Sequence, residues 1–518
     1  MFDQKKRVLV IVPIVALAAV AGFVMSTAAQ SSTVYVAASG SNSSSCGAQS
    51  SPCATLTYAL ANRVSAGGTV LVGPGTYSDS SISLTSSRHT NVTVSATPDV
   101  VSGLGTFNRG IPSGNDNRPY FPSARVNIAA SGSRVAYLRV RNGSSPRDGA
   151  YDGIVGVDTT GVTIDHNELW NGNQGIQVNV KRQVTISENH IHTLGSKTSS
   201  EDTHGVAICG NGTAASGWSE AISVINNSIH DAGGDAVQEM TDAYCSGTYQ
   251  FLIIANNNLY NNQEQGFDSK GTQDLRMYGN DIYGNGEGGI IATNDPVVVE
   301  KTRWEIYGNR IHDHNNYAIS WAQTRNCSSW QIYNNLIYNN TKSPQYNTPA
   351  VQLCGDSNSH FYNNTVVNNT DTSGTNKTGG IKDWGAGANV VNNLFYNNGI
   401  GSNDHGAIWN LSGEDSGNPS YNYVYPASCG SGSCKTGSNA KSTCAVSGNC
   451  PAFVNLAGAD FRLLSSSPAI NSGTTLAMAS LDLLGLLRIA PYDQGAYEFS
   501  GSTPTNAPAA PTSVRIIR

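Results

Sequence analysis

The chain has 518 residues, of which 39% are hydrophobic and 55 are glycine, but only 13% are charged, about half the usual share. A surface so poor in Glu and Lys excludes a helical protein, because its polar faces must be built from Asn, Ser, Thr and Gly, which favour turns and strand edges. No Gly-X-Y period marks a collagen, regularly recurring Val, Ile, Leu and Tyr exclude wholesale disorder, and a formal charge of −6 without basic clusters argues against nucleic acid as a partner.

The first 29 residues hold Lys5-Lys6-Arg7, the apolar run Val8 to Met25, and Ser26-Thr27-Ala28-Ala29, the layout of a secretory signal peptide. The run lies at the short limit for a membrane span and is interrupted by Pro13 and Gly22, so cleavage and export are expected, with an uncleaved cell-surface anchor as the alternative. Cleavage removes Lys5, Lys6, Arg7 and Asp3 and leaves a formal charge of −8. A secreted, monomeric protein with no stable membrane association is the expectation. Ten cysteines in an exported chain read as disulfides. Proximity pairs Cys46 with Cys53, Cys209 with Cys245, Cys327 with Cys354, Cys429 with Cys434 and Cys444 with Cys450. No CxxC pair is present, which disfavours thiolate zinc.

Residues 30–499 read as one domain. From about residue 160 to 400 a single pattern returns: an apolar residue, two variable residues, Asn, one variable residue, an apolar residue, then an aromatic or His. The shared asparagines are Asn167, Asn189, Asn227, Asn257, Asn280, Asn309, Asn335, Asn364 and Asn393, separated by 22 to 38 residues. A period of that length means stacked units. Each unit also holds a second short strand opened by a small residue, as at Gly175-Ile176, Gly205-Val206, Ala236-Val237, Gly266-Phe267 and Gly289-Ile290. Two or three strands per coil with Asn at the corners predict an all-β parallel β-helix, a solenoid whose coils bury one continuous core. His192, His230 and His312 fill the slot held elsewhere by Trp170, Tyr260, Tyr283 and Tyr338, so they read as structural. His190-Ile191-His192 and His312-Asp313-His314 resemble metal pairs only superficially. Residues 411–450, rich in Gly, Ser and Cys, read as a disulfide-pinned excursion, and residues 500–518 as a disordered tail.

Alternate residues of a strand point to opposite faces. In Gly266-Phe267-Asp268-Ser269-Lys270, Phe267 and Ser269 face the core and leave Asp268 and Lys270 together outside. Acids accumulate before this strand and its neighbours: Glu201 and Asp202, Asp231 and Asp235, Glu264, and Glu287. Stacking at about 4.8 Å per coil puts several carboxylates within reach of one hard cation, for which calcium is the natural choice. His204, beside Asp202, is the histidine most worth testing. No G-x-S-x-G elbow is visible, so a Ser-His-Asp hydrolase has no support.

Residues 33–77, TVYVAASGSNSSSCGAQSSPCATLTYALANRVSAGGTVLVGPGTY, resemble the opening segment of right-handed β-helix proteins of the pectate-lyase-like superfamily. That resemblance implies a strand, a short capping helix near Thr55 to Val64, and then the first coil. DFRLLSSSPAINSGT (460–474) and DQGAYEF (493–499) resemble the closing segment. EQGFDSKG (264–271) resembles the G-F-x-x-K strand of calcium-dependent pectate lyases of polysaccharide lyase family nine. The resemblance implies that Lys270 is the Brønsted base and that Asp235, Asp268, Asp231, Asp202 and Glu264 supply calcium ligands. It further implies β-elimination on an acidic polysaccharide of uronates, other carboxylates of which Arg303, Arg310 or Arg325 would grip. Tyr260 and Tyr283 read either as sugar-stacking surface or as corner packing. Two alternatives share the scaffold: a non-catalytic adhesive β-helix, and a glycosidase or uronan epimerase. Against a polygalacturonase stands the absence of G-H-G, since the chain has Thr203-His204-Gly205 and Asp404-His405-Gly406.

Overall fold

The computed structural model describes residues 33–142, 153–195, 202–240, 251–293, 303–321, 329–341, 349–353, 357–370, 379–383, 387–399, 408–409, 418–426 and 437–501. Among them, three long sheets of 14, 12 and 12 strands run the length of the molecule; after the first two strands, Thr33–Val36 and Thr69–Val72, which pair directly, sequence neighbours within these sheets fall in different sheets and hydrogen-bonded neighbours lie one coil apart. Every pairing inside these sheets is parallel, as in Leu252↔Leu275 of the first, Leu259↔Ile282 of the second and Phe267↔Ile290 of the third. One coil is therefore three strands, illustrated by Leu252–Ala255, Asn258–Tyr260 and Gln265–Ser269.

The inward residues of each strand are fully buried, as at Ile254, Leu259 and Phe267. Burying each such side chain is worth about 1.5–3 kcal/mol. The helix expected near Thr55 to Val64 is present as Leu56–Asn62, with the Thr55 side chain accepting the Tyr58 N–H and with Leu56, Ala59 and Leu60 turned inward. It closes the open end of the core. A second helix, Pro98–Gly103, had no counterpart in the sequence reading.

The turn between first and second sheets takes two residues. The first has a left-handed backbone, φ 56° at Asn256 and 53° at Asn334, and Gly279 and Gly308 take the same role at 65° and 64°. The second is the repeat asparagine. Asn167 opens the column by accepting the Leu138 N–H, and from Asn189 through the remaining expected positions to Asn422 each side-chain oxygen accepts the backbone N–H and the side-chain amide of the asparagine one coil before, at 2.8–3.1 Å. The same amide donates to a main-chain carbonyl, as from Asn309 to Met277 at 2.9 Å. Asn422 extends this ladder into the segment expected to be an excursion. Strands Asn418–Ser420 and Tyr423–Tyr425 add to the first and second sheets, so the coils continue through it.

A second ladder runs along the corner after the second sheet, through Asn262, Asn285, His314, Asn340, Asn369 and Asn398. His192, His230 and His312 do stack with Trp170, Tyr260, Tyr283 and Tyr338 in one column, as expected. The ring faces of Tyr260 and Tyr283 cover each other, 4.8 Å apart and 3° from parallel, which is corner packing rather than an open sugar platform. Residues 451–499 fold back over the second sheet, where Phe453, Phe461 and Tyr497 cluster with Tyr338, Val367 and Tyr396. Disulfides Cys46–Cys53 and Cys444–Cys450 form as expected. Cys245, Cys327, Cys354, Cys429 and Cys434 lie outside the described residues, as do the signal segment and the tail beyond residue 501. No helix among the described residues is long and apolar enough to cross a membrane.

His314 is the odd member of its ladder. Its Nδ1 accepts the Asn285 N–H, so the neutral ring carries its proton on Nε2, a buried atom without a partner. Burial, with His312 beside it, pushes its pKa down to about 3. The unfolded chain, with an ordinary value near 6.5, therefore takes up this proton first, and stability falls as the pH drops below about 6.5. His314→Asn places the amide used by the rest of the ladder. The substitution is expected to leave stability at pH 8 intact or higher and to reduce the loss between pH 7 and pH 4.5, read as melting temperatures. An unchanged acid slope would show that His314 does not set it.

Candidate functional site

The strand Gln265–Ser269 lies in the third sheet between Val237–Glu239 and Gly288–Ala292. Phe267 and Ser269 point inward and are fully buried, as the alternation predicts. Phe267 abuts Trp304, which leads to Trp321 and Trp330, an aromatic core that gives the strand a stiff backing. On the other side stand Asp268 and Lys270, with Nζ 3.6 Å from Asp268 Oδ2. This is not a solvated surface pair. The Asp268 residue is 7% exposed and the Lys270 side chain 25%.

The corner leading into this sheet carries a third ladder, made of unlike residues. Gln174 Oε1 accepts the His204 N–H at 2.7 Å, His204 Nδ1 accepts the Asp235 N–H at 3.1 Å, and Asp235 Oδ1 accepts the Gln265 N–H at 2.7 Å. These side chains do for their corner what asparagine does for the others, and the mixture of types hid the ladder in the sequence. Gln265 in turn donates to Glu287 at 2.6 Å and to the Tyr317 hydroxyl at 2.9 Å. The ladder explains why Asp235 and His204 are completely buried. Asp235 Oδ2 accepts from Gln238, which also reaches Asp268 at 3.5 Å. Thr293 donates to Asp268 Oδ1 at 3.3 Å.

Because His204 Nδ1 is an acceptor, its proton sits on Nε2, 3.1 Å from Asp202 Oδ1 but outside hydrogen-bonding geometry. Burial pushes its pKa down to about 4, so the ring is neutral at physiological pH. The carboxylates shift the other way. Burial, then Asp268, Glu264 and Asp202, push Asp235 up, and burial, then Asp202, Glu287 and Asp268, push Glu264 up to about 7. Burial also raises Asp268, against the pull of Lys270. Burial disfavours the Lys270 ammonium, but Asp268, Asp235 and Asp202 outweigh it and lift its pKa above the ordinary lysine range. Four carboxylates, Asp202, Asp235, Glu264 and Asp268, thus crowd one ammonium. Their excess charge and their hard oxygen donors fit a cation of the calcium type.

A family model described as a right-handed β-helix region matches residues 213–400. The chain is a right-handed parallel β-helix. That is the fold implied by the resemblance to the pectate-lyase-like superfamily. Among solved structures the β-helix is similar to the catalytic unit of a GH87 α-1,3-glucanase from Streptomyces thermodiastaticus strain HF3-3, at 14% identity and a TM-score of 0.46, covering 68% of this chain and 62% of that one. It is also similar to pectate lyase Pel9A, at 15% identity and a TM-score of 0.42, over 90% of this chain and 96% of that one. The PL6 family alginate lyase AlyGC matches at 12% identity and a TM-score of 0.44, over 74% and 52%. These likenesses are of fold. No curated protein matches the chain.

The β-helix brings Asp202, Asp235, Glu264, Asp268 and Lys270 together, with Glu287 at the edge. It does not bring Asp231, whose strand Ser228–Ala232 belongs to the second sheet, where its carboxylate receives His230 Nδ1 at 2.7 Å and the Asn261 amide. The chain turns a corner between Asp231 and Asp235. The arginines are likewise elsewhere. Arg303, in the first sheet, makes a two-bond pair with Asp274 at 2.6 Å, and Arg310, in the second, donates to the Tyr338 hydroxyl at 2.9 Å and faces Asp281. Each points from a different side of the prism than Lys270, so neither grips a polymer lying on the third sheet. Glu201 and Arg325 fall outside the described residues.

Glu264 ionises near pH 7 in the folded chain and near 4.5 in the unfolded one. Its proton is held more tightly by the folded state, so the favourable contribution is present below about pH 4.5 and is lost as the pH rises through about 7. In EDTA at pH 8, Glu264→Gln is expected to stabilise the β-helix by on the order of 1–2 kcal/mol, after allowance for partial solvent screening, and to do little at pH 4. Urea denaturation at the two pH values measures this. Equal gains at both would remove the charge-crowding account.

Proposed function

We propose that the chain is a secreted polysaccharide lyase that cleaves a uronate-containing, pectate-like polymer by calcium-assisted β-elimination. The observation that carries this reading is the convergence of one amine, Lys270, with the carboxylates of Asp202, Asp235, Glu264 and Asp268 on one face of the third sheet. The likeness of EQGFDSKG to the lysine-bearing strand of family-nine pectate lyases supports it, and disulfides suit an oxidising extracellular compartment.

Asp202, Glu264 and Asp268, with Asp235 behind them, would hold the cation. Bound there, calcium would offset the charge of the sugar carboxylate and acidify the C5 proton. Lys270, backed by the rigid strand and aimed outward beside Asp268, takes that proton as the C4–oxygen bond breaks, and the electron pair left on C5 forms the C4–C5 double bond. A lysine held protonated by three carboxylates works as a base only at alkaline pH or when those charges are neutralised. The rate is therefore expected to climb with pH above neutrality.

The test is absorbance near 235 nm from unsaturated ends, with pectate, alginate and glucuronan as substrates and calcium present. Lys270→Ala is expected to lower turnover by at least about a thousandfold, within the range assigned to general-base catalysis plus positioning. Its melting temperature is expected to fall modestly, because the largely buried Asp268 loses its ammonium partner, so circular dichroism is read beside activity to show that the variant is folded. Flat traces on all three polymers defeat the proposal, as does full activity in Lys270→Ala. New reducing ends without absorbance would assign hydrolysis instead, altered sugar configuration without cleavage would assign epimerisation, and binding without product would assign an adhesive role.

A further inference from the structure

A second cluster of ligating side chains lies on another side of the prism, on the outer face of the second sheet. Glu168, His190 and His192 occupy strands Glu168–Trp170 and His190–Leu194, which pair Glu168↔His190 and Trp170↔His192, and the next strand sets His230 beside His192. One donor atom from each of Glu168, His190 and His192 falls within a set spanning less than 4.8 Å, and all three side chains are half-buried. In sequence the pair His190 and His192 reads as a metal pair only superficially, since His192 fills the aromatic slot of the repeat; the third donor, Glu168, comes from the preceding coil.

Hydrogen bonding fixes where the lone pairs point. Asp231 Oδ2 lies 2.7 Å from His230 Nδ1, so that nitrogen carries the proton of the neutral ring and Nε2 is left as an acceptor. His230 Nε2 is 2.9 Å from His190 Nε2, which must then be the donor. The remaining nitrogen of His190, Nδ1, is thereby bare, and it faces Glu168 Oε1 at 4.0 Å. A lone pair and a carboxylate oxygen facing each other without a proton between them call for a cation. His192 Nε2 donates to the same oxygen at 3.4 Å, a bond that a bound ion would replace, with the ring proton passing to Nδ1, which has Thr193 Oγ1 at 3.0 Å to receive it. The other oxygen of Glu168 is engaged by Arg139, with Arg118 at 3.9 Å, which leaves Oε1 turned to the histidines.

We propose that Glu168 Oε1, His190 Nδ1 and His192 Nε2 form a binding site for a borderline divalent transition ion of the zinc type. Two imidazoles and one carboxylate are the donor set such an ion prefers, and bonds of about 2.0–2.2 Å to a tetrahedral ion place ligand atoms about 3.5 Å apart, close to the 3.4 Å already present. His230 and Asp231 act as positioning residues, holding the His190 tautomer, as carboxylates behind metal-bound histidines do. The site joins two successive coils, and it is chemically distinct from the oxygen-rich cluster around Lys270.

The untagged chain, stripped with EDTA and returned to excess calcium, is expected to bind one equivalent of zinc by equilibrium dialysis and to gain melting temperature, with no gain from magnesium. His190→Gln and His192→Gln should each weaken zinc binding by more than about 100-fold, and Asp231→Asn by about 10-fold, the effect typical of outer-shell partners. Asp202→Asn, in the other cluster, should leave it unchanged. Circular dichroism of the metal-free variants checks folding. If a histidine variant fails to fold, the wild-type zinc titration and Asp231→Asn decide. No zinc bound by the wild type, binding indifferent to the histidine and Asp231 substitutions, or binding lost in Asp202→Asn overturns the proposal.

Discussion

The constraint on which the molecule depends is the need to satisfy buried backbone groups at the corners of each coil. A strand finds its partners in the coils above and below, but a two-residue corner packed inside the wall has neither water nor a regular ladder to bond to. Leaving one such group unpaired costs about 1–3 kcal/mol. The asparagine column solves this with one residue per coil, since its oxygen receives two donors from one neighbouring coil and its amide returns to a main-chain carbonyl on the same side. The register of this corner then sets where the second-sheet strands begin, one residue beyond the asparagine at Glu168, His190, Ser228, Asn258 and Asp281.

The same demand recurs at the other two corners and is met less uniformly. Where the second column replaces Asn by His314, the backbone donor is still satisfied but a ring N–H is stranded. Where the third column uses Gln174, His204, Asp235 and Gln265, the replacement brings ionisable groups into a dry wall. Asp235 is thus buried for an architectural reason, and its raised pKa follows from that burial and from the acids packed beside it. The cluster of charge around Lys270 is built on a structural ladder whose members happen to titrate.

The sequence made some of this legible and hid the rest for identifiable reasons. The asparagine column could be read because one residue type repeats with an apolar and an aromatic neighbour, and Asn422-Tyr423-Val424-Tyr425 carries the same signal, masked by the Gly, Ser and Cys around it. Strand parity placed Phe267 inward and Lys270 outward, but parity says nothing about depth, and Asp268 proved buried under Gln238, Thr293 and Lys270. Asp231 was misplaced because four residues of chain can cross a corner. Arg303 and Arg310 were misplaced because proximity in sequence to the next coil does not reveal which of three faces a side chain leaves from, nor that Asp274 and Tyr338 stand in register to receive them. The tautomer relay from Asp231 to His190 is three-dimensional: it needs residues from two successive coils and the identity of each ring nitrogen.

A prism with three faces also separates chemistries that a single pocket would mix. On the third face the donors are mostly carboxylate oxygens, with His204 behind them engaged in the ladder through Nδ1; burial and then mutual repulsion raise the pKa of Glu264, and the field of the acids raises that of Lys270. Base strength and cation affinity are therefore linked on that face: whatever neutralises Asp202, Glu264 and Asp268 withdraws the field that keeps the lysine protonated, so an amine that is a poor base in the free chain becomes a better one when the acids are screened. On the second face the donors are imidazole nitrogens in an aromatic column, where stacking fixes ring planes and leaves hydrogen bonding to choose which nitrogen is bare. Hard and borderline cations would thus sort by face, because the coil repeats its strands but not its outward side chains. The outward positions carry no share of the core or of the ladders, and only there can such a repeat diversify without cost to its register.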